Sequence, residues 1–383
     1  MDALESELTR RQQAGLYRVR RTASAPQGVQ TIIDGKAVIS FCGNDYLGLA
    51  NHPDIKKSFI EAVERFGVGS GAAHLINGHS QLHEDCEQRL AEFTGRSSAL
   101  LFSTGYMANL AIANTLAGSG DVIFQDKLNH ASLIDGARIS DARLVRFPHL
   151  DLSRLRSQLE QHQTSARKLI MTDGVFSMDG DTADLPALAE LSQRHDSWLM
   201  VDDAHGFGVL GDRGAGLVEQ ENLGQEQVPV LMATLGKAVG TAGAFVAGSQ
   251  TLIETLIQQA RTYIYTTATP PAIAAATLKS IDIVESESWR REKLQELIAH
   301  FKEKIGALDC ELMSSQTAIQ PIVIGDNHRT LELSQSLFER GLHVTAIRPP
   351  TVPAGSARLR VTLSAEHDIA HVDHLVKALK ALL

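Results

Sequence analysis

Cysteine is scarce in this chain: Cys42, Cys86 and Cys310 are the only ones in 383 residues, and no two of them form a CxxC pair. Such usage suits a reducing compartment and supplies no zinc site. Long apolar runs are also missing. No stretch is long enough to span a bilayer, and the N-terminal MDALESELTRRQQ lacks the apolar core of a signal peptide. These absences lead to the expectation of a cytoplasmic protein with no membrane partner. Positive charge is in deficit, with 36 Lys and Arg against 45 Asp and Glu and a net charge of −9. Nucleic acid is therefore not expected as a partner, because phosphate binding needs a basic face. The basic residues that do cluster, Arg10, Arg11, Arg18, Arg20 and Arg21, read as a solvated helix end. No low-complexity tract and no internal repeat appears. A composition of 43% hydrophobic and 21% charged residues is that of a globular chain large enough for more than one domain.

What is present is an alternation of short apolar runs with longer helical patterns. The strand candidates are SALLF (98–102), DVIFQ (121–125), ARLVRF (142–147), KLIMT (168–172), SWLMVD (197–202), VLMATL (230–235) and GAFVAG (243–248). YMANLAIANTLAG and LPALAELSQRH, which lie between them, have helical spacing. Strands apolar on both faces and alternating with helices predict a mainly parallel sheet covered on both sides. After Pro270-Pro271 one long helical stretch is predicted, running to KEKI, followed by mixed strands and helices (IQPIVI, HVTAI, ARLRVTL, HVDHLVKAL). The expected division is an N-terminal segment 1–45, a large domain 46–270 and a smaller C-terminal α+β domain 271–383. The N-terminal segment is expected to pack on that small domain or on a partner subunit.

Chemistry-bearing residues gather where the predicted strands end. In SWLMVDDAHGFGVLG an apolar strand runs into Asp202-Asp203 and then Ala204-His205-Gly206. Ligands of open α/β sheets bind beyond the carboxyl ends of strands, so a carboxylate there has either a functional role or a plain capping role. In VLMATLGKAVGTAGAF a strand enters a turn holding Thr234, Gly236 and Lys237. A lysine at the end of a buried strand is partly desolvated, which frees its amine for Schiff-base chemistry. A P-loop is disfavoured because Ala238 follows Lys237 where GxxxxGK[ST] requires Ser or Thr. The segment ALLFSTGYMANLAIANTLA leads through Ser103-Thr104-Gly105 into a helix starting near Tyr106, and free N–H groups there would suit a phosphate. His130 in LNHASL and Ser177 in TDGVFSMDGD follow two further strands. One such segment alone is weak, because each has an ordinary structural reading. Five on one sheet edge supply a phosphate nest, an imidazole, a hydroxyl, a carboxylate and a lysine, which is the set that pyridoxal 5'-phosphate requires.

The motifs GNDYLGLANHP, FGVGSGAAHLINGHS, HEDCEQRLAEFTG, LNHASL, TDGVFSMDGD, LMVDDAHGFGVLG, TLGK, YIYTTATPP and AIRPPTVPAGSARLRVTLS run nearly end to end. The chain resembles the α-oxoamine synthases within the fold-type I pyridoxal-phosphate transferases, and the last motif resembles the branch that serves biotin biosynthesis. The resemblance implies a large α/β domain with a smaller α+β domain and a homodimer with shared sites. The implied activity is a decarboxylative acyl transfer joining L-alanine to a pimeloyl thioester carried by acyl carrier protein or coenzyme A. It implies that Lys237 holds the cofactor and moves the Cα proton, that Asp202 pairs with the pyridine nitrogen, and that His130 stacks on the ring. His205 and Ser177 would contact the ring hydroxyl side, and Gly105, Tyr106 and Thr234 the phosphate. Arg348, Thr351, His130 and Arg18 would hold substrate, the guanidinium of Arg348 gripping a carboxylate, with Tyr265, Asn44 and Ser70 nearby. Gly43 stands where the family has serine, and Ala72 and Ala73 stand where a relative has glycine and serine; both bear on the acyl-substrate contacts. Two other readings stay open: a sister synthase using glycine or serine, and a non-catalytic phosphate-binding protein.

Overall fold

The computed structural model describes residues 1–383, apart from the side chain of Asp2. The chain divides into two compact units, His52–Phe176 with Thr182–Ser288, and Met1–Asn51 with Ser177–Asp181 and Trp289–Leu383.

The larger unit is built on seven strands: β1 (Ser98–Phe102), β2 (Val122–Asp126), β3 (Arg143–Phe147), β4 (Lys168–Asp173), β5 (Trp198–Asp202), β6 (Val230–Thr234) and β7 (Ala244–Gly248). All seven fall on the apolar runs predicted from sequence. Their order is β1-β7-β6-β5-β4-β2-β3, and only β7 runs against the others. Every residue of β2, β4 and β7 is buried, as a sheet covered on both faces demands. Leu100, Met171, Met200, Met232 and Val246 form one core with Ala108, Ile112 and Leu133 of the covering helices. Because six strands point the same way, the segments after β1, β2, β4, β5 and β6 all leave the sheet along one edge. That edge collects Gly105, Tyr106, His130, Asp202, His205, Thr234 and Lys237.

The helix Gly105–Leu116 begins one residue before the expected Tyr106, where the Thr104 side chain accepts from the Met107 N–H and closes the first turn. The single long helix expected after residue 270 is two helices, Pro271–Ser286 and Trp289–Ile305. The expected boundary at 270/271 therefore does not coincide with the observed one at Ser288/Trp289. The first of the two helices buries Ala272 and Ala275 against Ala62 inside the larger unit, and its small apolar residues keep it there.

The smaller unit holds a four-stranded sheet of Glu311–Leu312, Ile319–Gly325, Ala357–Thr362 and Thr345–Ile347, with the helices Asn327–Glu339 and Ile369–Lys380. A second sheet joins the N-terminal strands Gln30–Ile33 and Lys36–Ser40 to Leu342–His343, with Leu342 opposite Ile39. The N-terminal segment is thus woven into the same unit as the C-terminus. The apolar alternation of its strands is too short to have been recognised from the sequence.

Candidate active site

Asp202 ends β5 and is 3% exposed. Its Oδ2 accepts from Asn109 Nδ2 at 2.8 Å and its Oδ1 from the Ala204 N–H at 3.1 Å. The second Asn109 Nδ2 proton goes to Ser132 Oγ at 2.8 Å, and Ser132 Oγ lies 2.7 Å from His130 Nδ1. That nitrogen also accepts the Ser132 N–H, so it carries no proton and Ser132 donates its hydroxyl to it. A directional chain therefore runs outward from one buried amide: Asn109 to Asp202 on one side, and Asn109 through Ser132 to His130 on the other. His130 caps the helix Ala131–Ile139, and its backbone N–H donates to Asp173 Oδ2 at 2.6 Å. Both its ring and its backbone are thus fixed.

Lys237 lies in the turn between β6 and β7, where its Nζ is 2.7 Å from His205 Nε2. His205 follows β5 in the loop that Asp203 anchors. Asp203 is fully buried and its Oδ2 accepts from the Leu217 N–H at 2.6 Å. A Cβ on Gly206 would sit 2.1 Å from Asp203 Oδ1, so only glycine lets the chain fold over that carboxylate. Thr234 Oγ1 donates to the Gly243 carbonyl at 3.0 Å and accepts the Gly236 N–H at 3.3 Å, shaping the lysine turn. Gly105 opens its helix with Met232 of β6 3.6 Å from where a Cβ would stand, and the Tyr106 hydroxyl donates to Asp135.

The electrostatics follow from burial. Burial pushes Asp203 up to about 7. Asp173 is also raised well above the usual carboxylate range, first by burial and then by the charge of Asp202 across the paired strands. His130 is held below an ordinary imidazole by desolvation, and Lys237 adds to this while Asp202 opposes it. A ring poised this way stays neutral near pH 7.

Lys237, His130, Asp202, His205, Gly105, Tyr106 and Thr234 all belong to the larger unit. Ser177, Arg18, Arg348 and Thr351 belong to the smaller one, as does Asn44. There Arg18 Nη2 donates to Thr351 Oγ1 at 3.3 Å, while Arg348 donates to the carbonyl of Gly15. Both arginines and Thr351 line one cavity of about 260 Å³, and Arg348 is held below its usual basicity by burial and by Arg18. Arg360 Nε donates to the Ser177 carbonyl at 2.7 Å. Tyr265 and Ser70 lie in the larger unit, where Tyr265 is well exposed and Ser70 Oγ donates to the Thr269 carbonyl at 2.6 Å.

Sequence reasoning missed Asn109, Ser132, Asp173 and the anchoring role of Asp203. Only Asn109 left a trace, as an amide among Ala108, Ala111 and Ile112 on the apolar face of its helix.

A strand-end carboxylate clamped by an amide, a lysine in the neighbouring strand's turn and a helix N-terminus beside them are the parts of a pyridoxal-phosphate site on a fold-type I sheet. A model of the family "Aminotransferase class I and II" matches residues 36–379. The 8-amino-7-oxononanoate synthase of Saccharophagus degradans is 57% identical over 382 residues, covering 99% of this chain and 96% of that protein. The structure of serine palmitoyltransferase from S. paucimobilis with bound PLP–myriocin superposes with a TM-score of 0.94 at 31% identity, covering 100% and 96% of the two chains. That of 8-amino-7-oxononanoate synthase from Francisella tularensis gives 0.80 at 34%, covering 90% and 97%. The chain belongs to the class I and II aminotransferase family and, within it, to the 8-amino-7-oxononanoate synthases. Its cofactor is pyridoxal 5'-phosphate, and the residues fit it: a buried carboxylate with its outer oxygens already oriented, an amine beside it and free helical N–H groups for a phosphate.

Proposed function

We propose that the chain condenses L-alanine with a pimeloyl thioester to give 8-amino-7-oxononanoate, carbon dioxide and the free thiol of acyl carrier protein or coenzyme A. One carbon–carbon bond forms between the alanine Cα and the acyl carbon. The carbon–sulfur bond and the bond to the amino-acid carboxylate break. The observation that carries this reading is the Asp202–Asn109 clamp facing the Lys237 turn, in a chain 57% identical over nearly its whole length to curated synthases of that name. The 31% identity to serine palmitoyltransferase does not favour the sister reading with serine.

Pyridoxal 5'-phosphate, when bound, supplies the sink for the electron pair released at Cα. Asp202 would keep the pyridine nitrogen protonated, and Asn109 fixes the carboxylate that would do so. Lys237, its Nζ 2.7 Å from His205 Nε2, would hold the cofactor, and its amine would take and return the Cα proton. The neutral imidazole of His130, oriented by Ser132, would stack on the cofactor ring. His205 would contact the ring hydroxyl, and Gly105, Tyr106 and Thr234 would take the phosphate; the family resemblance alone adds Ser177 to the hydroxyl side. Arg348 grips a substrate carboxylate, and Arg18 and Thr351 complete the substrate contacts.

The reading extends to a homodimer in the cytoplasm. Among the described residues no helix is long and apolar enough to cross a membrane. Val68, Ile76 and Tyr265 of the larger unit are large apolar side chains left 82%, 78% and 72% exposed, which a second copy would cover. Thiol release is the test, run with L-alanine and pimeloyl thioester against glycine, L-serine and shorter acyl chains. Release that needs both natural partners supports the reading, and release with glycine or serine in preference overturns it.

A further inference from the structure

Away from the residues assigned to the cofactor, three imidazoles converge at the start of the helix Gln81–Phe93. The ring centroids of His74, His79 and His83 are 5.1 to 5.4 Å apart, and one nitrogen of each lies within 4.8 Å of the others. His74 and His79 lie in and beside the turn His74–Gly78, which folds so tightly that a Cβ on Gly78 would meet the Ala72 carbonyl at 2.1 Å. Tyr263 stacks on His74 at 5.0 Å, and His83 has no exposure at all.

The proton inventory shows which nitrogens are spent. His83 Nε2 is 2.8 Å from the Thr269 carbonyl, which can only accept, so that nitrogen carries the proton and Nδ1 the lone pair. His79 Nε2 is 3.2 Å from Glu84 Oε2 and 4.0 Å from Glu87 Oε2, so its proton is on that side and its Nδ1 is bare. His74 Nδ1 faces His79 Nδ1 at 2.9 Å, and one proton bridges the two. Two of the three rings therefore have one N–H tied to a carbonyl or a carboxylate and the other nitrogen unprotonated, which is how metal-ligating histidines are prepared.

We propose that His74, His79 and His83 form a site for one divalent transition-metal ion, bound through three neutral imidazoles. The ion takes the place of the bridging proton, which moves to the Nε2 of His74. The Nδ1 pair opens from 2.9 Å to about 3.3 Å, the separation set by metal–nitrogen bonds near 2.05 Å. His83 contributes its Nδ1 in exchange for the hydrogen bonds from the Ser80 N–H and the Ser80 hydroxyl, each at 3.0 Å. Solvent fills the remaining position. Glu84 and Glu87 lie on the far side of His79, where they orient its ring. Bound metal would clamp the 74–78 turn to the helix that follows it.

The full-length protein with its cofactor, stripped by EDTA and dialysed, is titrated with Zn²⁺ against a chromophoric zinc chelator. One ion per chain and a rise in unfolding temperature are expected. His79→Ala should abolish this binding. Glu84→Gln keeps all three imidazoles and removes the carboxylate charge behind His79, so it should weaken binding about 10- to 100-fold. The comparison with His79→Ala also subtracts any zinc held by the cofactor or by surface histidines. No stoichiometric ion in the parent protein, or equal binding by parent and His79→Ala, would overturn the site. Should His79→Ala fail to fold, Glu84→Gln decides alone, and unchanged affinity there overturns the proposal.

Discussion

Replacing Asn109 with alanine separates the two arms of the hydrogen-bonded chain at their source. The side chain is 1% exposed, and it donates to Asp202 Oδ2 and to Ser132 Oγ, each at 2.8 Å. A hydrogen bond to a charged group contributes about 1.5–3 kcal/mol and a neutral one about 1 kcal/mol, so the variant should lose about 3 kcal/mol of stability. The assay is urea unfolding of the cofactor-free protein followed through tryptophan fluorescence, with cofactor retention on dialysis as a second reading. Retention should fall as well, because Asp202 and His130 lose their orientation together. Asn109→Asp should be worse than alanine, since it places a second carboxylate 2.8 Å from Asp202. A loss below about 0.5 kcal/mol for the alanine variant, the range of an ordinary surface change, would refute the reasoning.

Lys237→Ala should abolish both turnover and the visible absorbance of covalently held cofactor, while far-ultraviolet circular dichroism stays at the parent level. An active, coloured variant removes the central claim. Asp203 gives a pH signature. Burial holds its carboxyl at about 7, above the ordinary 3.8, so the folded state keeps a proton that the unfolded chain has released. Its contribution to stability is full below pH 3.8 and is lost as pH climbs through 7. Asp203→Asn should flatten that part of the decline in unfolding free energy, and a decline between pH 4 and 8 as steep as the parent's would contradict the assignment.

Much of the larger unit was legible in the residues themselves. A strand covered on both faces must be apolar throughout, so runs such as KLIMT and VLMATL stood out against their polar flanks. Local chemistry at their ends was legible too, because Asp202 and Lys237 terminate apolar runs where a charged side chain needs a reason. The small N-terminal strands were not legible. Gln30–Ile33 and Lys36–Ser40 find their third partner in Leu342–His343, about three hundred residues on, and no local pattern reports such a pairing. The break at Glu287-Ser288 was missed because helical spacing persists across it, from Pro271–Ser286 into Trp289–Ile305.

Sequence alone thus determined the parallel sheet, the edge where its chemistry gathers, and the places of the lysine and carboxylate proposed to hold the cofactor. Tertiary structure alone decided what holds them in place. Asn109 lies 93 residues from Asp202 in the chain, and Asp173 comes beside Asp202 only because β4 pairs with β5. The His74, His79 and His83 cluster is closer in sequence, yet the tautomer of His83 depends on the distant Thr269 carbonyl. Burial periodicity is written into consecutive residues, whereas hydrogen-bond partners far apart in the chain are chosen only when the folded backbone brings them within 3 Å.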